Sequence, residues 1–177
     1  MIVRILVGIV VVVGAFLAYV AMRPADLRVT RSIVIAAPPQ AVFAHVNDFK
    51  KWQTWSPWEK IDPAMKRGYE GAPSGTGAVY TWAGNNEVGS GRMAITESKP
   101  GELIRVRLEF EKPFRATNQA EFAFKVDGDR TTVTWTLTGE NNFISKAITL
   151  FMDMDRMIGG MYEKGLSHLK TLSEAKP

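Results

Sequence analysis

The residue types that most often perform chemistry are few in this chain and lie far apart. There is no cysteine, so disulfides, thiolate metal sites and cysteine nucleophiles are excluded. His45 and His168 are the two histidines, and neither belongs to an H-E-x-x-H zinc motif. Asp153 and Asp155 are two positions apart, so on a helix their carboxylates would point to different faces. The sequence therefore predicts no catalytic residue, no metal site and no cofactor.

Three of the five tryptophans fall in one short segment, DFKKWQTWSPWEK, residues 48–60. Trp52 and Trp55 are three positions apart and would share one face of a short helix, which Pro57 must end. Two interpretations stay open for this cluster. It is either a packed structural corner or a lid whose inner edge touches a ligand. Contact with a membrane is disfavoured because charged residues surround the tryptophans.

The chain begins with an apolar run, MIVRILVGIVVVVGAFLAYVAMRP. Residues 2–22 reach the roughly 20 residues that cross a hydrocarbon core about 30 Å thick, and Pro24 ends the helix. A cleaved signal peptide would need small residues before its cleavage site. Cleavage after Ala21 would place the bulky Tyr19 at the third position before the cut. The pattern favours an uncleaved membrane anchor over a signal peptide, and a buried core helix fits least.

We therefore expect two parts, an anchor over residues 1–23 and a folded domain over residues 24–177, in a single-pass membrane protein. The positive-inside rule compares Arg4 and the terminal amine with Arg23, Arg28 and Arg31. Because Arg28 and Arg31 have the pattern of strand residues, this comparison leaves the side of the domain undecided.

The charge distribution argues against a nucleic-acid partner. The net charge is +4, and without Arg4 and Arg23 the chain retains 20 basic against 18 acidic residues. These bases are interspersed with acids, as in RVRLEFEK. A nucleic-acid surface would cluster its basic residues on one face, so no nucleic-acid partner is predicted.

Alternation of apolar and polar residues predicts an antiparallel sheet. One strand is expected near residues 27–35 and about six more between residues 66 and 140. Turns are predicted at Asn85-Asn86, Pro100-Gly101 and Asp127-Gly128. In TTVTWTLTGE the apolar residues Val133, Trp135 and Leu137 face one side, and the threonines at 132, 134, 136 and 138 face the other. This separation indicates a sheet with one solvated and one buried face.

Helices are predicted at both ends of this sheet region. Pro38-Pro39 begins a short helix, and a second follows over the tryptophan segment. One long amphipathic helix is expected over residues 142–175. Its methionines either fill an irregular core or line an adaptable cavity wall. Gly159-Gly160 costs roughly 1 kcal/mol per residue relative to Ala, and close packing against the sheet is the expected reason. The fold class is α+β, with a sheet curled around the long helix.

This order of elements resembles the SRPBCC superfamily, also called START-like or Bet v 1-like, over about residues 28–172. The likeness rests on segments such as IAAPPQAVFAHVNDFKKWQTWSPWEKIDPAM, YEGAPSGTGAVYTWAGN and MYEKGLSHLK. The resemblance implies a helix-grip fold with a deep apolar cavity between sheet and helix. More narrowly, the chain looks like bacterial proteins of the polyketide cyclase/dehydrase type, which implies a bacterial inner membrane. Fold analogy does not imply one reaction.

We expect membrane-tethered binding of a hydrophobic small molecule or lipid, with membrane contact through residues 2–22. The alternatives are a protein-interaction module with a filled cavity and a polyketide cyclase-like enzyme. The candidate cavity-lining residues are large aromatic and methionine side chains on predicted inner faces: Trp52, Trp55, Trp82, Met93, Phe110, Phe122, Phe124, Trp135, Met154, Met157 and Met161.

Overall fold

The computed structural model describes residues 2–175, which form five α-helices and seven strands. The helices are α1 (Ile2–Met22), α2 (Pro39–Val46), α3 (Trp52–Trp55), α4 (Phe143–Ile148) and α5 (Met154–Glu174). The strands are β1 (Asp26–Ile35), β2 (Lys66–Gly71), β3 (Ala78–Ala83), β4 (Ser90–Lys99), β5 (Leu103–Lys112), β6 (Ala116–Asp127) and β7 (Arg130–Glu140). One-turn 3-10 helices over Phe49–Lys51 and Pro57–Lys60 flank α3.

The strands form one antiparallel sheet in the order β1-β7-β6-β5-β4-β3-β2. The predicted strands and hairpins are confirmed, including the turns at Pro100-Gly101 and after Asp127. Gly101 and Gly128 have φ angles of 73° and 64°, a left-handed conformation that glycine adopts at little cost. One face of the sheet is buried, as at Val106, Phe122 and Val133, each 0% exposed. The α+β arrangement predicted from the alternation is therefore correct.

The C-terminal region differs from the single long helix that the sequence predicted over residues 142–175. It consists of α4 and α5, separated by a turn over residues 149–153. Each helix has its own N-terminal cap: Asn142 accepts from the Ser145 N–H and Asp153 from the Arg156 N–H. Side chains of this type stabilise a helix start by bonding its free N–H groups. The amphipathic pattern continues through the break, which is why periodicity did not reveal it.

The tryptophan segment forms a packed corner beneath the sheet. Trp52 and Trp55 are 5% and 0% exposed, and both indoles donate to carbonyls of the preceding helix. The Trp52 Nε1 lies 2.9 Å from the Val46 oxygen, and the Trp55 Nε1 lies 3.2 Å from the His45 oxygen. The rings of Trp52 and Trp55 are buried, and their N–H groups donate to carbonyls of the same domain. This segment is therefore a structural element of the core.

Glu59 is the one buried charged side chain among residues 2–175. Its carboxylate accepts hydrogen bonds from the Arg67 Nε at 2.7 Å and from the Tyr80 hydroxyl at 2.6 Å. Burial, together with the bond to Glu59, raises the pKa of Tyr80, so this phenol stays protonated and donates. A buried carboxylate is tolerated when both oxygens are paired in this way. The network fastens the tryptophan corner to β2 and β3.

Helix α5 is held along β1 by polar contacts as well as by packing. Arg31 of β1 pairs with Asp155 and Glu163 of α5, each at 2.8 Å. Its guanidinium lies over Gly159, where an added Cβ would stand 2.0 Å from the Arg31 Nη2. An added Cβ at Gly160 would meet nothing within 4 Å. The expected close packing therefore explains Gly159, and it does not explain Gly160.

Replacing each of the two glycines with alanine should change the stability of the protein differently. G160A should stabilise the protein by about 1 kcal/mol, because alanine has the higher helix propensity and the site is open. G159A should give a smaller gain or a loss, because its methyl displaces the Arg31 guanidinium from its carboxylate partners. Thermal unfolding of the full-length chain in detergent measures both effects. In an R31A background the two substitutions should become equivalent, and a persistent difference there would contradict this explanation.

The Glu59 network predicts that two paired tyrosines contribute unequally to the stability of the fold. Tyr69 and Tyr80 face each other across β2 and β3, but the Tyr69 hydroxyl bonds only with the exposed Gln53 side chain. Y80F leaves a buried carboxylate oxygen without its donor, so we expect a loss of about 1–3 kcal/mol. Y69F removes the same atom at the surface and should change stability by less than about 0.5 kcal/mol. Equal losses in denaturant unfolding would show that the network does not stabilise the fold.

Candidate functional site

Helix α5 lies along one side of the curved sheet, which leaves another part of the inner face less covered. It packs against β1, α2 and α3. Its C-terminal half is tied to β1 where the Lys170 Nζ donates to the Val34 oxygen at 2.8 Å. The residues that α5 buries are Gly159, Tyr162, Gly165, Leu166 and Leu169. The interior therefore divides into a region beneath α5 and a region beyond it.

Beneath α5 the interior is filled by stacked aromatic side chains. Tyr162 stacks on Trp135 with ring centroids 3.8 Å apart and planes within 9°. Trp135 in turn stacks on Phe122 at 4.6 Å. Trp52, Trp55 and Trp58 contact Trp135 through their edges, at 6.3, 5.6 and 5.8 Å. The deep cavity that the family resemblance implied is occupied here by the protein's own rings.

Beyond α5 the sheet presents an apolar surface that is only half-buried. We call Trp82, Met93, Leu108 and Phe110 the open inner face; all four side chains are of intermediate exposure. Trp82 and Phe110 meet edge to face with centroids 5.7 Å apart. Gly91 lies between them in the register of β3, β4 and β5. An added Cβ at Gly91 would stand 2.5 Å from the Trp82 ring, so this glycine lets the indole lie across β4.

The methionines of α5 take two different positions. Met154 and Met161 are half-buried and, by helical spacing, share a flank with Gly165. An added Cβ at Gly165 would come within 3.0 Å of Trp135 and 3.1 Å of Pro57, so this flank faces the interior. Met157 is 47% exposed and projects away from it. Met154 and Met161 remain candidates for the wall of a binding site, and Met157 has the surroundings of a surface residue.

The structure therefore separates the sequence-predicted lining residues into groups. Five belong to the buried core: Trp52, Trp55, Phe122, Phe124 and Trp135. Three lie on the open inner face: Trp82, Met93 and Phe110. Sequence reasoning missed two further contributors. Leu108 was recognisable from its alternation with Val106 and Phe110. Tyr162 lies four residues after Ile158 and four before Leu166 on the helix, a spacing that indicates the buried face.

Two hollows lie at the rim of this interior. One of about 630 Å³ is lined by Phe110 and by mostly charged residues of the β5–β6 hairpin: Glu109, Glu111, Lys112, Arg115, Ala116 and Thr117. A second of about 220 Å³ lies between the Phe49–Lys51 turn and β2, with Tyr69 and Pro73 among its lining residues. The larger hollow shares Phe110 with the open inner face, so apolar and charged surfaces meet there.

Polar chemistry inside the domain is sparse. The Trp135 Nε1 is buried and has no acceptor among residues 2–175. Such a donor is costly to leave unpaired, by about 1–3 kcal/mol. No group of three or more histidine and carboxylate residues that could hold a metal ion occurs within the described range. The arrangement suits the binding of an apolar molecule with few polar atoms.

Helix α1 stands apart from this interior. It is long and apolar enough to cross a membrane, a property that it shares with signal sequences. Its side chains are exposed except for Val20, which is 0% exposed where the last turn of the helix meets α4.

Solved structures with the same fold have very different sequences. A Chromobacterium violaceum protein, CV1439, superposes with a TM-score of 0.60 at 15% identity, covering 87% of this chain and all of the other. The di-domain aromatase/cyclase BexL of the BE-7585A biosynthetic pathway gives 0.62 at 14% identity, over 89% of this chain and 53% of BexL. Ara h 8.0201 gives 0.54 at 10% identity, over 84% and 95%. These likenesses establish a Bet v 1-like fold and nothing further.

No curated protein sequence matches this chain. A protein family nevertheless matches nearly the whole folded domain. Residues 26–174 match the family described as polyketide cyclase / dehydrase and lipid transport. This range begins at the first residue of β1 and ends at the last residue of α5, and it agrees with the resemblance found in the sequence. The chain therefore belongs to the polyketide cyclase / dehydrase and lipid transport family.

Proposed function

We propose that the protein binds a hydrophobic small molecule or lipid on the open inner face while α1 anchors it in a membrane. One observation carries the binding part: Trp82, Met93, Leu108 and Phe110 form a contiguous apolar surface that α5 leaves half-exposed. Sites for apolar ligands are concave surfaces lined by aromatic and aliphatic side chains with few polar groups. The description of the family, which includes lipid transport, supports the same class of ligand.

The filled region beneath α5 supports a second candidate function, a protein-interaction module. The Phe122, Trp135 and Tyr162 stack leaves the interior beneath α5 closed to a deeply enclosed ligand. Under this alternative the domain would act through its outer surface. Trp82 and Phe110 are half-buried on the inner side of the curved sheet, and concave apolar surfaces of this kind are typical of small-molecule sites, which favours ligand binding.

A cyclase-like enzyme is the weaker alternative. BexL is described as an aromatase/cyclase, but catalysis would require a polar group free to act on a substrate. The buried carboxylate of Glu59 already accepts from Arg67 and Tyr80 through its two oxygens. Its role in the structure is therefore to hold the tryptophan corner.

Photo-crosslinking tests the binding site. The full-length chain would be reconstituted in phosphatidylcholine vesicles that contain a diazirine-bearing palmitic acid, irradiated, and mapped by peptide mass spectrometry. We expect adducts on the peptides of β3, β4 and β5 that contain the open inner face. M93W should reduce these adducts several-fold, because the larger side chain fills the surface beside Leu108, the register partner of Met93.

V126W is the matched control. Val126 is 55% exposed and lies beside the β6–β7 turn, so this variant adds the same bulk away from the site. Adducts confined to α1, or adducts on β3–β5 that M93W leaves unchanged, would contradict the proposed site. Adducts absent from β3–β5 would favour the interaction module.

Membrane fractionation tests the anchor. If α1 is retained and spans a bilayer, the chain should stay in the membrane pellet after extraction at alkaline pH, and mass spectrometry should detect its N-terminal peptide. A mature chain that begins near residue 22 and is released into the soluble fraction would identify α1 as a cleaved signal.

A further inference from the structure

Large apolar side chains outside α1 are exposed mainly at one end of the domain. Nine such residues are exposed between residues 23 and 175, and five of them lie in two segments, the β5–β6 turn and the α4 region: Phe114, Phe143, Ile144, Phe151 and Met152. Phe151 is 81% exposed. Leaving an aromatic side chain in water forgoes the free energy that its burial would contribute. A concentration of such residues indicates an interaction surface.

The strand register places these two segments at the same end of the sheet. The β5–β6 turn, which carries Phe114, joins the end of β5 to the start of β6. The start of β6 lies beside the end of β7, where Asn118 pairs with Gly139. The end of β7 pairs with the start of β1, where Glu140 faces Asp26. Helix α4 follows β7 directly and α1 precedes β1, so all of these elements share one end.

Helix α4 is joined to the last turn of α1. Val20 is 0% exposed at this contact, whereas the rest of α1 is exposed. The Lys146 Nζ lies 3.4 Å from the Ala21 oxygen and donates to it. A lysine in this position pairs with one of the free carbonyls at the negative end of the α1 dipole. The contact fixes the exposed apolar residues of α4 beside the point where the candidate membrane span ends.

We propose that this end of the domain lies on the bilayer surface, with Phe114, Phe143, Ile144, Phe151 and Met152 inserted among the lipids. The proposal rests on the membrane attachment of α1 proposed above. The bilayer is identified as the partner of this surface by where the surface lies. If the membrane span ends at Met22, the lipid headgroup region lies beside the residues that contact the last turn of α1. Aromatic and aliphatic side chains are the ones that enter this interfacial region, with lysines at its edge.

The open inner face lies at the same end of the sheet. Trp82 is one residue from the end of β3, Gly91 is the second residue of β4, and Phe110 is two residues before the end of β5. The opposite end carries the β6–β7 turn, where Asp129 is exposed. Trp82 and Phe110 therefore lie toward the end of the sheet that would contact the bilayer. The geometry assigns the entrance of the binding site to the membrane side.

Because the chain has no cysteine, single-cysteine variants can test this orientation. F151C, I144C and D129C of the full-length chain would each be labelled with a nitrobenzoxadiazole fluorophore and reconstituted in phosphatidylcholine vesicles. Quenching is then measured with phosphatidylcholine that carries a nitroxide on its acyl chain. We expect several-fold stronger quenching at residues 144 and 151 than at residue 129. All three positions are exposed, so the labels should not disturb the fold.

The outcomes separate this inference from the proposed function. Strong quenching at residues 144 and 151 in vesicle-bound protein supports the inserted end. If the protein floats with vesicles but all three labels are quenched equally weakly, the apolar end does not touch lipid and serves another partner, such as a protein or a second copy. If the protein does not float with vesicles, the membrane attachment itself is wrong and this inference fails with it.

Discussion

The stack of Phe122, Trp135 and Tyr162 is the interaction on which the rest of this structure depends. It joins the middle of the sheet to α5, with centroid separations of 4.6 and 3.8 Å. Gly165 lies beside it, where an added Cβ would stand 3.0 Å from Trp135, so the absence of a side chain lets α5 approach the ring closely. Offset and stacked aromatic pairs contribute about 0.5–1.5 kcal/mol beyond their burial. The stack therefore decides both where α5 lies and how much of the interior stays available to a ligand.

The same stack explains how this chain differs from the deep-cavity arrangement implied by its family. The volume of a helix-grip interior depends on the size of a few inward side chains and on how far the helix extends over the sheet. Here large rings fill one region, and α5, which packs along β1, leaves another region half-covered. A fold can host many functions when such local choices change. In this chain they move the candidate site from a deep cavity to the open inner face.

Three features coincide at one end of the domain: the end of α1, the exposed apolar residues of α4 and the β5–β6 turn, and the open inner face. Each has a simple explanation by itself. Together they support the proposal that the apolar entrance of the domain lies beside a bilayer. The polar networks lie elsewhere. Arg31 with Asp155 and Glu163 fixes α5 along β1, and Glu59 with Arg67 and Tyr80 fixes the tryptophan corner.

The sequence by itself determined the elements whose signals are local. Strict alternation located the strands, because a strand buried on one face repeats every two residues. Asp127-Gly128 located a hairpin, because glycine supplies the positive φ that a tight turn requires. The apolar run of residues 2–22 identified a candidate span from length alone. Most candidate lining residues were also placed on the inner face by alternation.

Only the tertiary structure decided which inward residues are packed and which remain open. Trp135 and Trp82 have the same residue type and similar strand surroundings, yet one is stacked beneath α5 and the other is half-buried beyond it. That difference depends on where a helix distant in sequence crosses the sheet. The pairing of Glu59 with Arg67 and Tyr80, and the meeting of α4 with α1, are likewise contacts between distant segments. No local pattern records them, because a sequence period describes the face of one element and not the element that covers it.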